Sequence, residues 1–433
     1  MAKNIFVLGL EDYARRKLEH IKDADQYAFH PLLDYEAIVK PASYDFDALL
    51  TEADETLRDF PGSVDGIITH WDFPATELLP ILCQRHNLPG PTLESVLKCG
   101  HKYWSRLEQS HCVPEHTPHF QAVNPFSEDA FGIKLDYPFW IKPVKAFASS
   151  LGFKINSSHA FNEAIHIIRA NIRRIGEPFN QALRYAEIPG EVDCVDGTCC
   201  IVENIIGGRQ GALEGYVVNG EVHIHSALDM LREPGRSSFY CFFYPSQLPT
   251  FVLDQVEDAT RRFVKHVGLD NTVFNIEFFW DEKAGRIWLI EINPRMSQSH
   301  THFFTQVDGA SNHQIAVALA QGQDPQFPHR QGRYNFAGKF MWRKYVEDAY
   351  VTEVPSREEI EALERAMPGT EIYIQVDKHA RLSELRDQDP YSYELAIILT
   401  AADTPEALHE NFERCKEGLT FRFEPTQALR EIA

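Results

Sequence analysis

Hydrophobic and polar positions change period along the chain, and those changes divide it. Residues 4–8 form a short apolar run that reads as a buried strand, and helical spacing follows over 12–21. A second buried strand is expected at 64–69 and a second helix at 76–86, making a small α/β unit over 1–92. The run Leu88-Pro89-Gly90-Pro91 interrupts the chain. Thr92 and Ser95 then suit a helix start, with the helix expected over about 93–110. Beyond Pro114 and Pro118 the pattern turns β-rich. Strands at 138–143 and 153–156 flank a loop of small residues, 146–152, and a helix is expected over 161–175. Strands at 200–206 and 215–222 surround a turn containing Gly207 and Gly208, and 223–227 extends the second strand. The two glycines serve the turn or a bound cofactor equally well. A helix at 252–267 leads into two further β-rich runs, and another is expected at 311–321. In the C-terminal part, Ser356 and Glu359 form a capping-box pattern, followed by strands at 372–376 and 394–400 and a helix at 404–416.

The β-rich runs before and after the charged turn near Ala284 carry the clearest chemistry, NIEFFWDEKAGRIWLIEINPR over 275–295. Folded as an antiparallel hairpin, they set Glu277 opposite Glu291 and Asn275 opposite Asn293. Side chains alternate across a strand, so all four polar groups share one face. Two facing carboxylates repel and are costly to bury without a cation between them. Glu277, Glu291 and Asn293 therefore form an oxygen donor set suited to Mg2+, which takes its remaining ligands from water and phosphate. Arg295 lies just beyond, placed to neutralise phosphoryl charge. Phe278, Phe279 and Trp280 read as packing residues.

Composition narrows the classes. At 433 residues the chain exceeds one ordinary core and implies about two to four domains. Its 44% hydrophobic and 24% charged content is that of a globular protein, and no apolar run reaches the length of a membrane span. Residues 5–10 are followed at once by charge, so the N-terminal segment reads as a strand and not a secretory leader, and a cytoplasmic protein is expected. A formal net charge of −21 argues against nucleic acid or an anionic membrane as main partner but leaves a small anion such as ATP open. The eight cysteines follow no paired zinc rhythm and read as buried free thiols. Cys99, His101, His111, Cys112 and His116 crowd together in sequence, with spacings that fit no ordinary zinc pattern.

Further pieces occur in a fixed order. Lys102 lies on the helix after the PGP break, Lys142 near a strand end, and Ala148-Ser149-Ser150-Leu151-Gly152 in a loop whose N–H groups could wrap phosphates. The apolar strand ending at Ile201-Val202-Glu203-Asn204 follows, and the hairpin comes last. After the first strand only Gly9 is present, so the dinucleotide-binding fingerprint is absent.

This ordered set resembles the ATP-grasp superfamily, in the branch that holds carboxylate–amine ligases, including L-amino acid ligases, and biotin carboxylase. The resemblance spans about residues 1–330. It implies a multidomain α/β and α+β chain: a Rossmann-like pre-ATP-grasp domain (1–92), an ATP-grasp N-terminal subdomain with the phosphate loop (93–200), an ATP-grasp C-terminal subdomain with the Mg2+ site (201–330), and a small C-terminal α+β module (331–433). It further implies that Lys102 and Lys142 contact phosphates, and that the loop with Ser149, Ser150 and Gly152 closes over them. Glu203, Asn204 and Ile205 would form the adenine hinge, and Gln210 would stand where the family often has a ribose-binding glutamate. Glu277, Glu291 and Asn293 would hold Mg2+, or Mn2+ in its place, while Arg295 and Lys142 would be catalytic. The loop has one glycine where relatives often have three or more.

The reaction so implied is ADP-forming ligation: a carboxylate, activated by ATP as an acyl phosphate, is joined to an amine on amino-acid or peptide-like substrates. The alternatives are biotin-carboxylase-like bicarbonate activation, a small-molecule kinase and a noncatalytic ATP-binding module. The partners are small molecules, with no nucleic acid and no membrane, and a homodimer is implied only by the resemblance. Candidates for the acceptor side are His225, Arg232, Arg236, Ser297, His300 and His302. His70-Trp71-Asp72 adds a further candidate, because it follows a strand's C-terminal end.

Overall fold

The computed structural model describes residues 2–39, 41, 43–127, 132–146, 150–236, 238–345, 347–385 and 392–426. Two units are distinguished by their internal contacts: Met1–Ser226 with Leu248–Gln298 and Ser311–Phe327, and Ala227–Gln247 with Ser299–Ala310 and Pro328–Ala433. The expected segments 1–92 and 93–200 fall entirely within the first. Among the described residues, no helix is long and apolar enough to cross a membrane.

The first unit opens with a parallel three-stranded sheet in which Lys3–Leu8 lies between Tyr27–Leu32 and Gly66–Ile68. Alternation sends Phe6 and Leu8 into a core with Ile67, Leu78 and Leu82. Ile5 and Val7 enter another core with Val273, Ile315 and Leu319. Burial on both faces explains why residues 5–8 read as a continuous apolar run. A second sheet is antiparallel, in the order Phe120–Val123, Cys200–Asn204, Phe139–Pro143, Phe153–Ile155. Helix Ser158–Asn171 covers it through Phe161, Ile165 and Ile168. A third set of antiparallel strands pairs Arg209–Val218 with Thr272–Asp281, and the latter with Arg286–Asn293.

Several elements differ from the sequence expectation, three of them in more than their end residues. The single helix expected over 93–110 is two helices, Leu93–Gly100 and Lys102–Cys112. His101 breaks it with extended backbone (φ −86°, ψ 102°), while its Nδ1 accepts the Trp104 N–H at 3.2 Å. The Lys102 N–H turns instead to Val144 O at 2.8 Å. Histidine is not an ordinary N-cap, so the sequence does not announce this start. The helix expected at 161–175 runs Ser158–Asn171 and is succeeded by Arg173–Leu183. The run 215–227 is not one extended strand but the end of Arg209–Val218, a turn, and the start of Glu221–Arg232. Asn219 and Gly220 make that turn at φ 53° and 75°, the conformation for which an Asn-Gly pair is favoured. Gly208 is required for a different reason: at φ 129° an added Cβ would stand 2.1 Å from Trp280 O.

The second unit is built on an antiparallel sheet. The C-terminal half of Glu221–Arg232 pairs with Phe239–Tyr244, followed by Phe336–Tyr345, Ser392–Ala402 and Glu371–Ile374. Helix Pro405–Gly418 buries Leu408, Phe412 and Cys415 in its core, against Phe340, Ile372 and Ile398. Helix Arg357–Ala366 begins with the expected capping box of Ser356 and Glu359. All eight cysteines are free thiols, and six are buried.

Candidate active site

The hairpin forms in the expected register, Asn275 opposite Asn293 and Glu277 opposite Glu291, with a slip immediately after Glu277. Strand Arg209–Val218 extends its polar face, because Ala212 lies opposite Glu277 and Glu214 opposite Asn275. Gln210 is on the same face, and its Nε2 donates to Glu277 Oε2 at 3.0 Å. Burial, and then repulsion by Glu291, push the Glu277 carboxyl up to about 7. Glu291 behaves oppositely. Burial works to raise it, but the Lys102 ammonium beside it outweighs this and holds the carboxyl below its ordinary value. Lys102 Nζ is 2.6 Å from Glu291 Oε1 and donates to Ala146 O at 3.0 Å. Lys102 touches one of the two facing acids, while Arg295 and Lys142 act on the pair from farther away. An oxygen-only set with two facing carboxylates fits Mg2+.

A second polar cluster lies where strands Phe139–Pro143 and Cys200–Asn204 pair. Lys142 Nζ is 2.7 Å from Glu203 Oε2, and Arg106 Nε holds the other carboxylate oxygen. Burial alone would raise Glu203, but the two cations outweigh it and hold the group at about 2. Burial pulls Lys142 down, partly offset by Glu203. Arg106 goes further, donating to Leu289 O at 3.0 Å and Ile290 O at 2.9 Å, directly before Glu291. It stands four residues from Lys102 on helix Lys102–Cys112, so one helical face supplies both cations. The sequence reading passed over Arg106, although that spacing was visible. Both Glu203 oxygens are engaged, and Asn204 and Ile205, which follow it, are exposed. They line a cleft of about 890 Å³ together with His119, Phe120, Lys134 and Asp136.

Lys145 stands directly before the small-residue segment 146–152. Lys145 Nζ is 2.7 Å from Glu77 Oε1, and both side chains are buried. Ser149 lies outside the described residues. Ser150 is exposed, Leu151 adopts φ 56°, and Gly152 is half-buried.

Arg295 makes a two-point contact with Asp72, Nε to Oδ1 at 2.8 Å and Nη2 to Oδ2 at 3.0 Å. Burial and this partner act oppositely on both groups, and the partner wins. Arg295 is raised, and Asp72 is held below the usual carboxylate range. The segment His70-Trp71-Asp72 thus reaches the end of the hairpin. His70 is buried 5.6 Å from the His313 ring. Burial, then the charges of His313 and Arg295, depress its imidazole well below the ordinary value.

The acceptor-side candidates do not all fall within one unit. Ser297 and His225 belong to the first unit, where Ser297 O accepts from Asn312 and His225 packs on Phe327. Arg232, Arg236, His300 and His302 belong to the second. There Arg232 lies over Phe239 and Arg236 over Tyr345, His300 stacks on Phe303, and His302 Nδ1 is 3.4 Å from Glu371 Oε1. Nor does the Cys/His run assemble. His101 Nε2 is 2.8 Å from Val195 O, and His116 Nδ1 is 3.1 Å from Ile287 O.

Residues 135–302 match the family model of the ATP-grasp domain. The carbamoyl phosphate synthase large chain of Thermotoga neapolitana is 30% identical over 153 residues, which are 34% of this chain and 14% of that protein. The chain thus matches about a seventh of the length of that curated relative. Among solved structures, the L-amino acid ligase of Bacillus licheniformis superposes with a TM-score of 0.72 at 17% identity, over 98% of this chain and 99% of its own. The biotin carboxylase domain of the Hydrogenobacter thermophilus 2-oxoglutarate carboxylase, solved with MgADP and bicarbonate, superposes with a TM-score of 0.62 at 13% identity. That superposition covers 98% of this chain and 91% of the domain. The chain has the ATP-grasp fold, and its residues 135–302 match the ATP-grasp domain.

Proposed function

We propose that this chain is an ADP-forming ligase that uses ATP to activate a carboxylate as an acyl phosphate and joins it to an amine, on amino-acid or peptide-like substrates. The observation that carries the reading is the facing pair Glu277 and Glu291, with Lys102 on one acid and Arg295 just past the hairpin end. Glu277, Glu291 and Asn293 would hold Mg2+, with Gln210 steadying Glu277 instead of reading ribose. When bound, the metal neutralises phosphate charge and polarises the phosphoryl group. Mn2+ is the substitute to test.

The chain's own groups account for the remaining tasks. Lys102 and Lys142 stabilise charge on the departing ADP, and the loop with Ser149, Ser150 and Gly152 covers the phosphates. The Asn204 and Ile205 backbone would face adenine, while Glu203 keeps Lys142 in place. A substrate carboxylate oxygen attacks the γ-phosphorus, and the bond to the ADP oxygen breaks. The amine nitrogen then attacks the acyl carbon, inorganic phosphate leaves, and the amine gives up a proton. Arg295 offsets charge on the phosphoryl group, and Asp72 fixes its plane. Exclusion of water protects the acyl phosphate, which gives the loop its role.

The test is phosphate release from MgATP against a panel of amino acids offered singly and in pairs. Release that requires two substrates, with a ligated product by mass, is the expected result. A phosphorylated product without phosphate release would make the protein a kinase. MgATP binding without turnover on any pair would make it a binding module.

A further inference from the structure

We propose that Glu108, His111 and His266 form a binding site for a divalent cation of the zinc type, separate from the hairpin. Among the described residues, these three bring metal-capable atoms within 4.8 Å of one another. His266 Nε2 is 2.7 Å from Glu108 Oε2, and His111 Nδ1 is 4.0 Å from the same oxygen. The other carboxylate oxygen is already fixed, accepting the Trp104 indole N–H at 2.8 Å. Such an outer hydrogen bond orients a ligand and leaves its second oxygen directed at the cation.

The donor chemistry selects the ion. Two imidazoles and one carboxylate suit Zn2+, Ni2+ or Cu2+ far better than Mg2+ or Ca2+. Three protein ligands leave a position for water, and the exposure of both histidines gives access from solvent. Helices Lys102–Cys112 and Thr250–Val267 both end here, and their terminal carbonyls add negative potential. Helical i,i+3 spacing sets His111 beside Glu108, and the hydrogen bond from the other helix brings His266 to the same carboxylate oxygen, so three donors converge there. Of the run Cys99, His101, His111, Cys112 and His116, whose spacings fit no ordinary zinc pattern, His101 and His116 turn to backbone carbonyls. His111 instead finds its partners one helical turn back and on a distant helix. A bound cation would tie the helix that carries Lys102 and Arg106 to helix Thr250–Val267.

The full-length protein, stripped with chelator and titrated with ZnCl2 without nucleotide, should take up about one Zn2+ per chain at this site. Co2+ in its place should give the visible bands of an N/O site of low coordination number, without the near-ultraviolet band of a thiolate ligand. His266→Gln and His111→Ala should each weaken binding by about 10-fold or more, while the metal-free variants keep the wild-type circular dichroism spectrum. Glu291→Gln should leave this uptake intact. The assignment is overturned if wild type takes up no stoichiometric Zn2+, if a thiolate band appears, or if both histidine variants bind like wild type. Loss of uptake in Glu291→Gln alone would place the cation at the hairpin and overturn it equally.

Discussion

Glu277 is the residue at which charge, burial and register meet. Its carboxyl stands at about 7 in the folded chain against an ordinary 4.5. The folded state therefore holds this proton more tightly than the unfolded state between those values. The stability it contributes is complete below about pH 4.5 and is lost as pH rises through about 7, a change on the order of 1–3 kcal/mol. Thermal midpoints in chelator should show wild type losing this increment relative to Glu277→Gln, and added Mg2+ should restore part of it at the alkaline end. Parallel pH profiles for the two proteins would remove Glu277 from the account. Glu203 acts in a separate window, since its stabilisation is present above the ordinary carboxylate value and fades toward about pH 2. Glu291→Ala should lower turnover by at least ~100-fold, the upper end of what even outer-sphere metal partners cost, in a protein that remains folded. Asp72→Asn removes the charge that fixes Arg295 while leaving the nucleotide lysines untouched. Its kcat should fall by about 10-fold or more with the KM for ATP little changed. An equal rise in KM with constant kcat would mean that Asp72 serves nucleotide binding instead.

At the scale of elements, helix Lys102–Cys112 joins the two clusters. Lys102 reaches Glu291, and one turn on, Arg106 reaches Glu203 and the carbonyls of Leu289 and Ile290. Arg106 is buried, so Arg106→Met leaves two carbonyls and half of a buried carboxylate without their donor. The expected cost is about 3–5 kcal/mol in urea unfolding, the range for breaking a buried pair from one side. A cost under ~1 kcal/mol, the surface-pair range, would show that the guanidinium is dispensable. The second unit offers a local comparison. Ser356 accepts from Glu359 N–H, and Glu359 accepts from Ser356 N–H. Ser356→Ala should cost about 1 kcal/mol, the worth of an N-cap. The elements themselves were unevenly legible. The helix at Ser356 and the hairpin were plain, because capping and alternation are local signals. Strand Phe239–Tyr244, six residues reading FYCFFY, was not, because a run without alternation has no period to read.

At the scale of the molecule, ligand binding and folding are linked through the site. MgATP that binds only the folded chain should stabilise it by about 2.7 kcal/mol at one hundred times its dissociation constant. Chelation should abolish most of that gain if the metal set is as proposed. A thermal shift from ATP that is indifferent to chelator would count against it. The net charge of −21 makes a nucleotide polyanion an unfavourable long-range guest, so local cations and the metal must carry the attraction.

The sequence by itself determined the floor of the site. Glu277, Glu291, Asn275 and Asn293 fall on one face because side chains alternate and a short turn sets the register, both effects of neighbouring residues. It also put Lys142 near a strand end, before a small-residue loop. Only the tertiary structure decided which cations meet which acids. Lys102 and Glu291 are 189 positions apart, Arg295 and Asp72 are 223, and Lys145 and Glu77 are 68. No local period encodes such pairings. Ion pairs are short-ranged in space and indifferent to chain distance, so they become visible only when packing has set the elements side by side. The same packing gave Gln210 to Glu277.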